Sequence, residues 1–109
     1  MTHDLKLDAR WFDAVASGRK TVELRREDTR QFAAGDVLLL REWETVYHPS
    51  DSALAWYSAS RYTGRTCLVR VTHILRHEDA PALLPSGVAA LSIRPDDVAS
   101  LRAGEETRA

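Results

Sequence analysis

The chain has 109 residues, 44% of them hydrophobic and 28% charged, which is the length and composition of one globular domain. Fifteen basic and 16 acidic residues give a formal net charge of −1, which excludes a protein held to nucleic acid by bulk charge alone. The sequence has no apolar run near the roughly 18 residues of a membrane span, no signal-peptide core, and one cysteine, Cys67, too few for an internal disulfide. These features predict a cytoplasmic protein without a membrane partner.

The predicted elements begin with a strand and a helix. HDLKL, residues 3–7, alternates apolar and polar side chains, which is typical of a half-exposed strand. Asp8 is suited to cap a helix over residues 9–18, because its short carboxylate can accept from the free amides of the first turn. Gly18 is suited to end that helix.

The second predicted strand, KTVELRR, raises the first question about function. Because strand side chains alternate between two faces, Val22 and Leu24 are expected to fill the interior. Glu23 and Arg25 then share the other face, with Lys20 at the start of the strand. From the strand alone, an ordinary exposed charge cluster is the simpler interpretation, since surface ion pairs are common and stabilise little. The alternative is the floor of a binding site.

Three further strands and a short helix complete the predicted order. DVLLLREW (36–43), TCLVRVTHILRH (66–77) and GVAALSI (87–93) read as strands, and a short helix is predicted from Pro95. The strands are too closely spaced for βαβ crossovers. The predicted class is therefore mixed α+β, mainly β: a mostly antiparallel barrel or curled sheet of about five to six strands.

This barrel is predicted to form a single domain over residues 1–102, followed by a frayed tail over 103–109. Its helix lies between the first two strands and packs on the sheet through Trp11 or Phe12. The predicted core consists of alternating strand residues: Val22, Leu24, Val37, Leu39, Val69 and Val71.

Residues 44–64 are predicted to form a long loop, with a short helix possible within it. Loops above about 15 residues are uncommon in compact domains and are usually functional or disordered. This one holds four of the eight aromatic residues: Tyr47, Trp56, Tyr57 and Tyr62. They either pin the loop to the barrel or stack on a base or another planar ligand, and we expect the loop to lie beside the site as a lid.

The stretch GRKTVELR matches the G-x-K-x-x-E-x-R signature of the ASCH superfamily, small PUA-like barrels associated with RNA. FAAGDVLLLREW resembles the turn and strand that follow in that family, and YTGRTCLVRVTHIL resembles the next strand of a closely related bacterial family of unknown function. The resemblance covers about residues 3–76. It implies a cleft between helix and barrel, floored by the signature strand with Lys20, Glu23 and Arg25. We expect Arg41 or Arg65 from neighbouring strands, and Trp56 or Tyr62 from segment 44–64, to complete this ligand-binding site.

The resemblance implies an RNA- or nucleotide-binding domain, with two alternatives. One is a hydrolase, an amidohydrolase acting on a modified nucleoside or a ribonuclease, in which Lys20 and Glu23 are catalytic. Related amidohydrolases place a threonine nucleophile where this chain has Glu23, which speaks against that chemistry. The other is a protein-interaction module that uses the aromatic segment 44–64. No cofactor is indicated, and no metal site is predicted because the four histidines are scattered without ligand spacing: His3, His48, His73 and His77.

Overall fold

Five strands and one helix follow one another in the computed structural model, which describes residues 1–49 and 56–97. They are β1 (Thr2–Asp8), α1 (Ala9–Ala16), β2 (Val22–Arg26), β3 (Val37–Pro49), β4 (Trp56–Arg76) and β5 (Val88–Pro95), with a 3-10 turn (His77–Asp79) after β4. Pro95 ends β5 and does not begin a helix, while most of the predicted C-terminal helix and the tail lie outside the described residues. Within the described part of the chain, no helix is both long and apolar enough to cross a membrane.

The strands form one mixed sheet in the order β1-β3-β4-β5-β2. β1 runs parallel to β3, and the other three pairs are antiparallel. The mainly β class with one helix is therefore confirmed. The ladder does not close into a barrel, because β1 and β2 occupy the two edges of the sheet and are not paired with each other.

Two arginine side chains nevertheless connect these edges. Arg25 of β2 donates from Nη2 to the Lys6 carbonyl of β1 at 2.7 Å. Arg30, which follows β2, donates to the Asp4 carbonyl at 3.4 Å. The sheet is thus curled enough for its first and last strands to face each other across a gap bridged by side chains.

The concave face of this curled sheet carries the core. Its most deeply buried large side chains are Leu38, Leu40, Val69, Val71 and Leu91, together with Val15 of the helix. The predicted core positions of β3 and β4 are confirmed in part: Val37, Val69 and Val71 are buried, whereas Leu39 is half-buried.

Helix α1 covers one part of the concave face. Asp8 caps it as predicted, accepting from the Arg10 amide at 2.9 Å. Phe12 and Val15 are buried against the sheet, whereas Trp11 is 44% exposed. Of the two aromatic residues predicted to anchor the helix, Phe12 therefore does so.

The predicted orientation of β2 is wrong. Val22 and Leu24 are 45% and 61% exposed, whereas Glu23 is only 6% exposed. The pairing with β5 places Glu23 directly opposite Leu91, which lies in the core. Opposite residues in a ladder share a face, so this register turns the charged side of β2 inward and its apolar side outward.

Segment 44–64 is also not the predicted loop. Residues 44–49 and 56–61 continue β3 and β4 as a two-stranded antiparallel ribbon. β1 ends its pairing opposite Trp43, and β5 joins β4 only from Val69 onward. Among the described residues, these two segments, called the ribbon below, therefore pair only with each other, while residues 50–55 lie outside the described part of the chain.

The turn that precedes β3 explains the FAAGD stretch. Phe32 is buried against the core, and its ring lies 4.8 Å from that of His3. Gly35 adopts a φ of 95°. The buried Asp36 carboxylate accepts from the Ala33 amide at 2.9 Å and contacts His3 Nε2 at 2.8 Å. The stretch therefore ties the start of β3 to β1.

Candidate ligand-binding site

The connection from α1 to β2 fixes the position of Lys20. Gly18 turns the chain with a φ of 81°, a conformation that side chains with a Cβ rarely adopt. A Cβ at Gly18 would also lie 3.3 Å from Pro95 Cγ. The Lys20 amide then donates to the Ala14 carbonyl at 2.9 Å, so the lysine, two residues before β2, has its backbone held against the helix.

Lys20, Glu23 and Arg25 form one contact group, called the Glu23 cluster below. Lys20 Nζ lies 2.7 Å from Glu23 Oε1, and Arg25 Nε lies 2.8 Å from Glu23 Oε2. The Glu23 side chain is 8% exposed, while those of Lys20 and Arg25 are 25% and 22% exposed. Each carboxylate oxygen of Glu23 therefore has its own cationic partner in a setting largely shielded from water.

Arg25 also contacts β1, because the same guanidinium donates to the Lys6 carbonyl. It lies opposite Ala89 of β5, whose small side chain leaves room on the concave face. The cluster is thus positioned by three strands at once.

A second buried carboxylate, Glu42, lies at the end of the apolar stripe of β3. Arg65 binds it through two bonds, Nη2 to Oε2 at 2.7 Å and Nε to Oε1 at 2.9 Å, and Thr63 Oγ1 donates to Oε1 at 2.6 Å. The Arg65 hydrogen bond, followed by that of Thr63, lowers the pKa of Glu42 from 4.5 to about 2. Arg65 also contacts Asp13 at 3.2 Å and lies 4.4 Å from the Phe12 ring, which locks α1 to the sheet.

Glu42 was not among the predicted site residues. The signal that could have found it is its parity, because Leu38, Leu40 and Glu42 fall on the same face of β3. A carboxylate that continues a buried apolar alternation requires a cationic partner, and Arg65 provides it.

Arg41 does not join the Glu23 cluster. Its neighbours Leu40 and Glu42 point inward, so Arg41 points outward, where Nε contacts Asp4 Oδ1 at 2.7 Å. The Arg41 side chain is 42% exposed and that of Asp4 54%. Of the two arginines predicted to join the cluster, Arg41 is thus a surface ion-pair partner and Arg65 the partner of Glu42.

Of the two aromatic residues predicted for the site, Tyr62 contacts residues outside the Glu23 cluster. Tyr62 lies at the base of the ribbon, with its ring 4.7 Å from that of Trp43 at an interplanar angle of 75°. Lys6 Nζ lies 3.9 Å from the Trp43 ring centroid and 5.9 Å from that of Tyr62. Sequence reasoning missed Trp43 and Lys6, which lie in ordinary strands, while the side chain of Trp56 lies outside the described residues.

Two cavities lined entirely by described residues have no residue of the Glu23 cluster in their linings. One, of about 360 Å³, lies beside Glu27, Arg76 and His77. The other, of about 300 Å³, lies beside Cys67, Pro95 and further residues around the end of β5. Burial raises the pKa of Cys67 to about 11, so the thiol stays protonated at neutral pH and is not an activated nucleophile.

Metal chemistry finds no support in residues 1–49 and 56–97. No group of three or more histidine, cysteine, aspartate or glutamate side chains there could hold a metal ion.

A curled, mainly β domain with one helix and a charged cluster turned toward its core is the class that this geometry defines. Within that class, the chain belongs to the family described as a domain of unknown function (DUF3850), whose model matches residues 2–93. It is also similar to an uncharacterized 12.9 kDa protein in the GpA 3′ region of Escherichia phage P2, with 46% identity over 41 residues. That match covers 38% of this chain and 37% of the phage protein.

Proposed function

We propose that this chain is an ASCH-like domain of the PUA-like type that binds RNA or a nucleotide-like ligand at the Glu23 cluster. One observation carries the proposal: the signature residue Glu23 is on the buried face of β2, with Lys20 and Arg25 on its two oxygens. A solvated charge cluster would leave this carboxylate exposed, and here it is not.

The charge of the cluster supports an anionic ligand. Two cations and one carboxylate leave one net positive charge in a partly shielded position. Lys20 also donates to the Val22 carbonyl, which leaves one of the three ammonium donors for a ligand. Arg25 offers a planar guanidinium suited to phosphate or to a base edge.

The curvature of the sheet supports the PUA-like assignment. The two edge strands face each other and are joined by Arg25 and Arg30 side chains, so the strands surround a common core although the ladder is open. Under the PUA-like assignment, the signature strand is β2, and its Glu23 side chain faces the inside of this curled sheet.

The contact between Lys20 Nζ and Glu23 Oε1 also favours a second candidate function, a hydrolase acting on a modified nucleoside or on RNA. At 2.7 Å the two groups are hydrogen-bonded, so both can reach the same part of a bound substrate. In this candidate Glu23 takes a proton from the attacking group and Lys20 stabilises the developing negative charge.

Binding measurements with single-stranded RNA, duplex RNA and free nucleosides test the proposal. Lys20→Ala and Arg25→Ala should each weaken binding to single-stranded RNA, and each should reduce the salt slope by roughly 0.7 because each removes about one phosphate contact. Arg26→Ala is the matched control, since Arg26 lies on the same strand but on its exposed outer face. Thermal unfolding of each variant separates lost contacts from lost folding.

Glu23→Gln separates the binder from the enzyme. It removes the charge and keeps the shape, so a binder should keep or gain affinity for an anionic strand. An enzyme with Glu23 as its base should lose about 10²-fold or more in turnover while still binding its substrate. If Lys20→Ala, Arg25→Ala and Glu23→Gln all leave binding and hydrolysis unchanged, the cluster is purely structural and the proposal is wrong.

A further inference from the structure

We propose that the ligand surface continues from the Glu23 cluster along the free edge of β1 to Trp43 and Tyr62, and that its ligand is a single-stranded nucleic acid. This inference rests on the proposed function and makes it more specific. It adds Lys6, Arg30 and Trp43 to the binding surface, and it selects an extended strand over a free nucleoside or a duplex.

Lys6 joins the two parts of this surface. Its carbonyl accepts the Arg25 guanidinium of the Glu23 cluster at 2.7 Å. Its ammonium lies over the Trp43 ring at 3.9 Å from the centroid. One residue of β1 therefore contacts the cluster through its backbone and the aromatic pair through its side chain.

The charge on Lys6 is available to a ligand. Among the described residues, Lys6 has no carboxylate within ion-pair distance, whereas Arg41 and Arg65 are held by Asp4 and Glu42. A ring face attracts a cation without neutralising it. The ammonium is therefore held in place and still carries its full positive charge for a phosphate.

Two guanidinium groups lie along the same edge. Arg30 donates to the Asp4 carbonyl and Arg25 to the Lys6 carbonyl, so their anchor points lie two residues apart on β1. Two strand residues span about 7 Å. A row of cations at this spacing suits a chain of phosphates, and a free nucleoside has no phosphate to match it.

The aromatic pair offers a rigid surface for a base. Tyr62 is 49% exposed, and its near-perpendicular contact with Trp43 fixes its orientation. Tyr62 keeps part of its ring accessible to solvent, where an unpaired base can stack on it. Bases within a duplex are already stacked on their neighbours and cannot reach such a ring.

Tyr62→Ala tests the stacking contact, with an RNA 12-mer and a strand of equal phosphate count that lacks bases as the probes. We expect Tyr62→Ala to weaken binding of the RNA about 5- to 150-fold, the equivalent of one lost base stack. Binding of the base-free strand should not change. Tyr47→Ala is the matched control, because Tyr47 is a 69% exposed tyrosine farther out on the ribbon, and it should leave both probes unaffected.

Lys6→Met tests the phosphate contact, because methionine keeps an apolar side chain beside Trp43 but carries no charge. We expect the salt slope for single-stranded RNA to fall by roughly 0.7. Normal binding by both Tyr62→Ala and Lys6→Met, with binding lost in Lys20→Ala, would overturn this extended surface and leave the proposed function standing. Equal or tighter binding of duplex RNA would overturn the choice of ligand. If the unmodified protein binds neither RNA nor free nucleosides, both proposals are overturned.

Discussion

Two carboxylates, Glu23 and Glu42, lie on the buried face of the sheet, and each is bound by an arginine. Burying a charge costs free energy unless a partner and further hydrogen bonds compensate for the lost water. Glu42 receives both from Arg65 and Thr63, which is the cause of its low pKa. Glu42 therefore makes folding sensitive to acid.

The pH dependence of stability tests this role of Glu42. Its pKa falls from 4.5 to about 2 on folding, so the ionised group stabilises the folded state above pH 4.5. That stabilisation is lost as the pH falls toward 2. Glu42→Gln should therefore lower the melting temperature at pH 7 and flatten its decline between pH 4.5 and 2, as measured by thermal unfolding followed by circular dichroism.

Glu44→Gln provides the control for this measurement. Glu44 also pairs with an arginine, but Arg61 is 73% exposed, and exposed pairs contribute little. The variant should follow the unmodified protein across the acid range. An equal flattening in both variants would show that Glu42 has no special role.

Strand β2 shows where sequence reasoning succeeded and where it failed. The position of the strand and the grouping of Lys20, Glu23 and Arg25 followed from the local pattern. The local pattern did not show on which face they lie. A five-residue strand with two apolar and three charged residues does not indicate which strand it pairs with. Its pairing with β5, more than 60 residues later in the chain, decides the orientation.

The orientation of β2 can be checked by two substitutions on adjacent strands. Leu24→Ser should change the free energy of unfolding by no more than about 0.5 kcal/mol, because the side chain is exposed. Leu91→Ala should lower it by about 2–5 kcal/mol, because Leu91 is fully buried opposite Glu23. Urea unfolding measures both, and a larger loss for Leu24→Ser would mean that the assigned faces are reversed.

The ribbon is the other element that the sequence did not reveal. Its strands, residues 44–49 and 56–61, hold adjacent apolar or aromatic pairs (Val46 and Tyr47, Trp56 and Tyr57) among polar residues, without regular alternation, so they read as a loop. A ladder can form from such residues because the rest of β3 and β4 is already aligned by the core. The ribbon thus continues the pairing of β3 with β4 beyond the part that the core holds in register.

Amide hydrogen exchange should distinguish the ribbon from the sheet. Two-stranded hairpins without further packing are marginally stable, so amides of the ribbon should exchange faster than those of residues 37–42 and 66–71. Mass spectrometry of peptides from both regions measures the difference. Equal protection would indicate that another molecule covers the ribbon, as the protein-interaction alternative requires.

At the scale of the whole molecule, the order of the elements was predictable and the closure of the sheet was not. Alternation, capping by Asp8 and the stop at Gly18 place β1, β2, β5 and the helix close to their observed bounds, whereas the predicted β3 and β4 lack the ribbon. Closure depends on contacts between the first and last strands of the sheet, and these are made by Arg25 and Arg30 side chains rather than by a ladder. Local patterns carry no information on such distant contacts.

The position of β2 has a consequence for protein synthesis. Within the described sheet β2 is hydrogen-bonded to β5 alone, so residues 22–26 have no strand partner until residues 88–92 have been made. At roughly 5–20 residues per second, a nascent chain needs about 3–12 s to add those 62 residues, from 27 to 88. The inward orientation of Glu23 is therefore set only after β5 has been made, and the proposed ligand surface is incomplete until then.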